Sequence, residues 1–448
     1  MSPAWLLMLC LCCADAPGTT SKELAWPAFL GQGASPVEAA SLPTEWSPTK
    51  NIAWQATIPG HGQSSPIVWG DRVFVTSVEG DMKETLHVLA FNLADGKQQW
   101  KHTFESTDKV KNSLYVSRAA PTPATDGKHV FAFFESGDLA CLKLTGEEVW
   151  RKSLSAEFGK YKGNHGLGAS PMLTDDSIVI LFDHDGPSYL IALNKSDGTT
   201  KWKTDRTSRV SWSSPALVKT GDTAQIVCSS SGSVDGYDAA TGKLLWTFDE
   251  VGGNTSATPL PFAPGSFLVG ASAGREAERG ELAKKSNLAM NIAFVDGKPE
   301  PKVLWRTEQA TPTFGSPMVH AGYAYWVNRT GVVYCLDAAT GELQYTQRVK
   351  QSCWATPVGI GERVYLFGKN GLTTVIRSGP KFEVLAENQL WDPATQKPDP
   401  AKAAAEDTAE GKAAAANFSG ATQYGVAVVN GNLLIRVGEK LYCIRAAK

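Results

Sequence analysis

Polar and aromatic side chains recur along this chain just ahead of a small residue and a proline. They are His61 and Gln63, Ser117 and Arg118, Asn164 and His165, Arg209 and Trp212, Asn254, Thr313 and Phe314, Trp354, and Gln423 with Tyr424. Brought together, they would make a ring that is polar, aromatic and net basic. Arg118, His165 and Arg209 would favour a carboxylate or an acidic side chain of a partner. Convergent polar groups in a concavity are the default binding-site reading; the plainer one is that they cap loops and line a water-filled channel. Asp183, His184 and Asp185 are expected to flank the same face, but three adjacent turn residues rarely supply a full ligand set, so no metal is assigned. No Gly-x-Ser-x-Gly, His-Glu-x-x-His or phosphate-loop pattern occurs, and no catalytic residue is assigned.

The elements that must position these residues are repeats. Ser65-Pro66, Ala120-Pro121, Ser170-Pro171, Ser214-Pro215, Thr258-Pro259, Ser316-Pro317 and Thr356-Pro357 open segments, most of which close about forty residues later on a turn and an aromatic. The closing residues include Trp100, Trp150, Trp202, Trp246 and Trp305, with Tyr345 in the same place. Such a period is the signature of a repeat architecture. Within one copy, Ser214–Val218, Gln225–Cys228, Val234–Asp238 and Lys243–Phe248 read as four strands joined by Gly/Asp/Ser turns. Four antiparallel strands repeated radially make a β-propeller blade. Proline, which cannot donate to a sheet ladder, fits the innermost edge strand. The glycines of Thr145-Gly146, Thr241-Gly242 and Thr340-Gly341 suit tight hairpins, and each tryptophan is expected to bury against the next blade.

Seven complete copies span 64–104, 119–154, 169–205, 213–249, 257–308, 315–349 and 355–390. The chain ends in three further strands, and Asn51–Ile58 places Trp54 in the closing position. The expected fold is therefore all-β: an eight-bladed β-propeller of four-stranded antiparallel blades, the last closed by the N-terminal strand. A seven-bladed ring with stray terminal strands is the rival.

The closings Tyr237-Asp-Ala-Ala-Thr-Gly-Lys-Leu-Leu-Trp and Cys335-Leu-Asp-Ala-Ala-Thr-Gly-Glu-Leu-Gln-Tyr resemble the pyrroloquinoline-quinone (PQQ)-like repeat of quinoprotein-type propellers. The resemblance covers roughly residues 51–390 and 424–448. Two subgroups share the repeat: PQQ-dependent dehydrogenases, and non-catalytic scaffolds similar to the outer-membrane protein assembly factor BamB. The resemblance implies that a dehydrogenase would hold PQQ between a tryptophan and a disulfide of adjacent cysteines, with Ca²⁺ on nearby carboxylates. The one adjacent cysteine pair here is Cys12-Cys13, inside an apolar leader, so no cofactor is assigned.

Forty-three basic against 45 acidic residues give a formal charge of −2, with no bias towards nucleic acid. Ala4–Ala14 is an apolar run too short to span a bilayer, and residues 1–16 read as a signal peptide, implying export to the periplasm or beyond. Residues 17–50 form a Pro-rich lead-in whose Trp26-Pro27 and Trp46 are expected to pack on the propeller's outside. Residues 51–448 form the propeller, with insertions at 272–291 and 391–418. Trp391, in the second insertion, is expected to be lightly packed. Cys141, Cys335 and Cys443 share one third-strand position, Cys228 lies in a second strand, and Cys353 is expected to be the exposed thiol. The functional expectation is an exported, monomeric, non-catalytic scaffold that binds an envelope protein or a small polar or anionic ligand; a PQQ-dependent oxidoreductase is the alternative.

Overall fold

The computed structural model describes residues 24–32, 41–112, 117–272, 277–395 and 421–447. These form eight antiparallel sheets, one per blade, in sequence order around the ring. Blades one to seven are continuous in sequence. Blade eight combines Gly425–Val429, Asn432–Val437 and Lys440–Ile444 with Ile52–Thr57 as its outer strand. Trp54 pairs with Cys443, so the two ends of the chain close one sheet and the ring has no open seam.

The aromatic closings have a shared mechanical role. Trp54, Trp100, Trp150, Trp202 and Trp305 each lie on a turn glycine of the next blade: Gly96, Gly146, Gly198, Gly242 and Gly341. A Cβ at any of these glycines would come within 2.3–2.7 Å of the ring. The turn thus needs glycine twice over, for its positive φ and for the ring above it. Trp246 departs from the rule. Blade five has a long hairpin, Asn287–Val295 with Lys298–Thr307, in place of a short turn, and Trp246 instead covers Gly236 of its own blade and donates to Gln225.

The small-Pro openings form a second ring. Backbone N–H groups of Ser65, Thr122, Ser170, Ser214, Thr258 and Ser316 donate to the hydroxyls of Thr122, Ser170, Ser214, Thr258, Ser316 and Thr356, at 2.9–3.0 Å. Each hydroxyl therefore satisfies the preceding blade's innermost strand. The opening of blade two is Thr122-Pro123, two residues beyond the Ala120-Pro121 expected from sequence, because only Thr122 supplies that hydroxyl. In blade eight the position is Gly425.

Four further expectations are corrected. Trp26 is not outside the ring: Ala25–Trp26 pairs with Trp69 and Val68 as a fifth strand on the channel edge of blade one. Nor is Trp46, which is covered and stacked on Tyr365 of blade seven, while Asn388 holds its backbone N–H. Trp391 is 5% exposed, lying on Gly371 and stacked with Tyr442, so it belongs to the seam between blades seven and eight. Cys353 is buried and its thiol is pushed up to about 12 by that burial. The other four described cysteines are buried and free as well. Of the first insertion, Ala277–Lys284 is a helix and residues from Asn287 on are a strand of blade five. The leader, and the second insertion beyond Thr395, lie outside the described residues.

Candidate functional site

The channel has two unlike ends. At the turn face the segment 24–32 crosses it, leaving a cavity of about 720 Å³ between Pro27–Gln32 and blades two to five. Gly70 donates to Leu24, Thr125 donates to Pro27, and Phe29–Gly31 makes one tight turn beneath Trp26. Gly31, at φ 69°, lies so close to Trp26 that a Cβ would sit 2.8 Å from its ring. Trp26, Phe29 and Leu30 form the floor of a cavity of about 370 Å³ that runs up to the entry face, where the chain enters each innermost strand. The segment thus narrows the turn end of the channel and floors the cavity that opens at the entry face.

One repeat position builds much of the cavity's wall. Two residues ahead of each belt hydroxyl stand Ala120, Gly168, Trp212, Ser256, Phe314 and Trp354 in blades two to seven, all lining the cavity. Large rings in blades four, six and seven face small residues in two, three and five; a Cβ on Gly168 would already touch Trp212 at 3.2 Å. Phe314 and Trp354 stack at 4.5 Å, and His165 stands 5.6 Å from Trp212, whose Nε1 donates to Gly166. Tyr424 completes the rim and meets His61 edge-on at 6.3 Å.

The residues read from sequence divide accordingly. His61, Gln63, Trp212, Trp354 and Tyr424 are half-buried at this mouth, and Asn164 and His165 are exposed. Asn254 is fully buried: its amide donates to Ser229 and Ser233 and accepts from Gly232, which makes it a hairpin brace. Gln423 is likewise buried, against Gly368, Leu372 and Thr373. Arg118 is 2% exposed, and its backbone N–H donates to the Gln63 side chain.

The mouth is also less basic than its sequence suggests. Arg209 pairs with Asp235 at 3.3 Å, and Arg206 bridges Asp183 at 2.9 Å and Asp235 at 3.3 Å. Two arginines and two aspartates thus cancel between blades three and four. Lys83 and Glu135 form a buried pair at 3.2 Å between blades one and two. His184 accepts from Lys162 at Nδ1 and contacts the Pro187 carbonyl through Nε2, so Asp183–Asp185 is a structural turn. Among the described residues no group of three metal-ligating side chains occurs.

Sequence reading missed a cationic corner on the aromatic wall. Lys369 Nζ sits 4.4 Å above the Trp354 ring, a cation–π arrangement. Burial, and after it the nearby Arg329, lower its pKa from 10.5 to about 8. Lys369 lies in a second-to-third-strand hairpin, outside the stretches that precede the prolines, and only the folded ring brings it to Trp354. The floor segment was missed because a two-residue strand has no readable period.

The chain resembles several known proteins. It is 29% identical to the outer membrane protein assembly factor BamB of Burkholderia pseudomallei over 48% of this chain and 52% of that one. It is 25% identical to a polyvinylalcohol dehydrogenase of Pseudomonas sp over 76% of this chain and 53% of that one. The chain therefore spans about half the length of these curated relatives. Among solved structures, BamB from Moraxella catarrhalis shares the fold, with a TM-score of 0.57, 13% identity and coverage of 87% of this chain and 95% of that one. The family described as outer membrane protein assembly factor BamB matches residues 44–164, 87–263 and 296–437. With most of the propeller inside those matches, the chain belongs to this family of PQQ-like repeat propellers.

Proposed function

We propose that this protein is an exported, non-catalytic scaffold of the cell envelope that holds another envelope protein at the open mouth of its channel. The observation that carries the reading is the aromatic cavity at the entry face: Trp26, Phe29 and Leu30 floor it, and Trp212, Phe314, Trp354 and Tyr424 rim its mouth. Half-exposed aromatic rings around a cavity are typical anchors for a partner's apolar side chains. The apolar leader supports export, and membership of an assembly-factor family supports a protein partner. A photo-crosslinking residue in place of Trp354, with one in place of Val384 on an outer strand as control, tests the reading in envelope-localised protein. A defined partner trapped from position 354 and not from 384 is the expected result. Equal or absent crosslinking at 354 removes the mouth as the docking site.

The similarity to a polyvinylalcohol dehydrogenase favours a second reading, a quinone-dependent oxidoreductase. The residues do not fit the group that reading needs. The described cysteines are separately buried, none of them adjacent in sequence, and no compact carboxylate set for calcium stands near the mouth among the described residues. Quinone titration with calcium, followed by absorbance, would revive it by producing a stoichiometric complex.

A further inference from the structure

One seam of the ring breaks the repeat in three places at once. Arg436, in the second strand of blade eight, is wholly buried. By register it is two residues beyond Leu434, the partner of Cys443. The same position holds Phe133, Leu181, Val327 and Phe367 in blades two, three, six and seven. It holds Thr76, Ser229 and Gly270 in the others. Blade eight is alone in placing a charge there. The chain makes room for it. A Cβ on Gly62 of blade one would come 2.4 Å from Nη2 and as close to the Thr76 carbonyl of its own blade, whereas other blades carry Ala119, Ser211, Thr255 or Thr313 at that position. Gly425, the cross-strand partner of Arg436, is the one belt position without a hydroxyl, and a Cβ there would strike Ser65 of blade one.

The guanidinium is not neutralised. Its Nε donates to the Gly438 carbonyl at 2.7 Å. Nη1 and Nη2 have no hydrogen-bond partner, and no carboxylate lies within ion-pair distance among the described residues. Burial lowers the pKa from 12.5 to about 9, countered in part by the exposed Glu439. Nη1 and Nη2 of an arginine present N–H donors in a planar fork suited to two acceptor oxygens, and an unpaired buried charge is strongly destabilising.

We propose that Arg436 is the centre of a carboxylate-binding site at the seam between blades eight and one, entered from the channel mouth past His61 and Tyr424. His61 lies against Gly438, whose carbonyl takes the Arg436 Nε–H, and meets Tyr424 edge-on. The occupant is an acid group that accepts from both terminal nitrogens. It is either a free small carboxylate or the acidic side chain of a bound peptide.

Thermal melts of the full chain at constant ionic strength test this, with sodium acetate exchanged for sodium chloride. Acetate should raise the melting temperature saturably, by about 1–3 °C at ten times its dissociation constant. Arg436→Met should lose that increment while still responding to general salt, and Arg436→Lys should keep a weakened part. Arginine Nε–Hε spectra of the wild-type protein provide a second readout that does not depend on the methionine variant folding. One resonance, assigned by its loss in Arg436→Lys, should move with acetate and not with chloride. An acidic tetrapeptide with amidated C-terminus distinguishes the sources. Tighter binding than acetate assigns the acid to a partner chain, and equal or weaker binding assigns it to a free anion. Identical melts in acetate and chloride, with no arginine resonance moving, overturn the proposal.

Discussion

On the turn face of the ring, Trp54, Trp100, Trp150, Trp202 and Trp305 repeat one contact on five successive or near-successive turn glycines. On the entry face, a single repeat position carries Ala120, Gly168, Trp212, Ser256, Phe314 and Trp354 in six consecutive blades. The same backbone is regular at one end and individually varied at the other. Identity at equivalent positions is what blade-to-blade packing requires, because each seam must bury the same shape. Variation at equivalent positions is not needed for that repeated seam and gives the cavity its particular wall. The contrast gives the turn face a repeated packing contact and the entry face an individually lined cavity.

The largest expected effect concerns closure. Deleting residues 1–58 removes Ile52–Thr57 and Trp54, leaving Lys440–Ile444 as an exposed edge. Loss of a buried tryptophan alone costs roughly 3–5 kcal/mol, and the strand's hydrogen bonds go with it. Cooperative unfolding in denaturant should shift by more than that or vanish. A shorter deletion, residues 1–40, spares Ile52–Thr57 and should cost much less, while removing the floor of the entry-face cavity. If the two truncations melted alike, blade eight would not depend on its borrowed strand.

Next comes the contact between Trp305 and Gly341. Trp305→Ala should cost roughly 3–5 kcal/mol. Gly341→Ala should cost about 1 kcal/mol for its positive φ of 75°, and more because the new methyl meets the ring. In the double variant the second penalty should shrink, since the ring is gone, giving a non-additive cycle. Additive losses would mean that ring and turn are not one unit, and the regular face would lose its explanation.

What could be read before folding follows the same division. Strand lengths, turn glycines and closing aromatics recur, so blade count and the shared eighth blade were legible in residues such as Trp54 and Gly242. The mouth was legible only as a list. Proximity to a proline located Trp212, Trp354 and Tyr424 at the rim, yet could not tell that Asn254 braces a hairpin or that Asp235 neutralises Arg209. Those partners lie in neighbouring strands or blades, and no local pattern encodes the pairing. Trp391 misled for a related reason. It follows the fourth strand of blade seven, where composition turns low-complexity, but its ring reaches back to Tyr442 of blade eight.

The smallest effect on stability is expected at the mouth itself, where chemistry should respond instead. Trp354→Ala removes a half-exposed ring stacked on Phe314, a contact worth about 1 kcal/mol. The same ring helps shield Lys369, whose ammonium is disfavoured by burial, so the neutral amine appears above about pH 8 where an ordinary lysine needs 10.5. Acylation followed by peptide mapping should find Lys369 reacting ahead of other lysines near pH 8. Because the unfolded chain keeps this proton up to 10.5, stability should rise slightly between those values. Trp354→Ala lets water reach the ammonium and removes its cation–π partner; burial is the first cause of the lowered pKa, so the midpoint of labelling should climb part of the way towards 10.5. A Lys369 that titrates with the bulk lysines in the parent protein, or a midpoint unmoved by the substitution, would show that the aromatic wall does not desolvate the mouth. Turn face and entry face would then differ in sequence but not in environment.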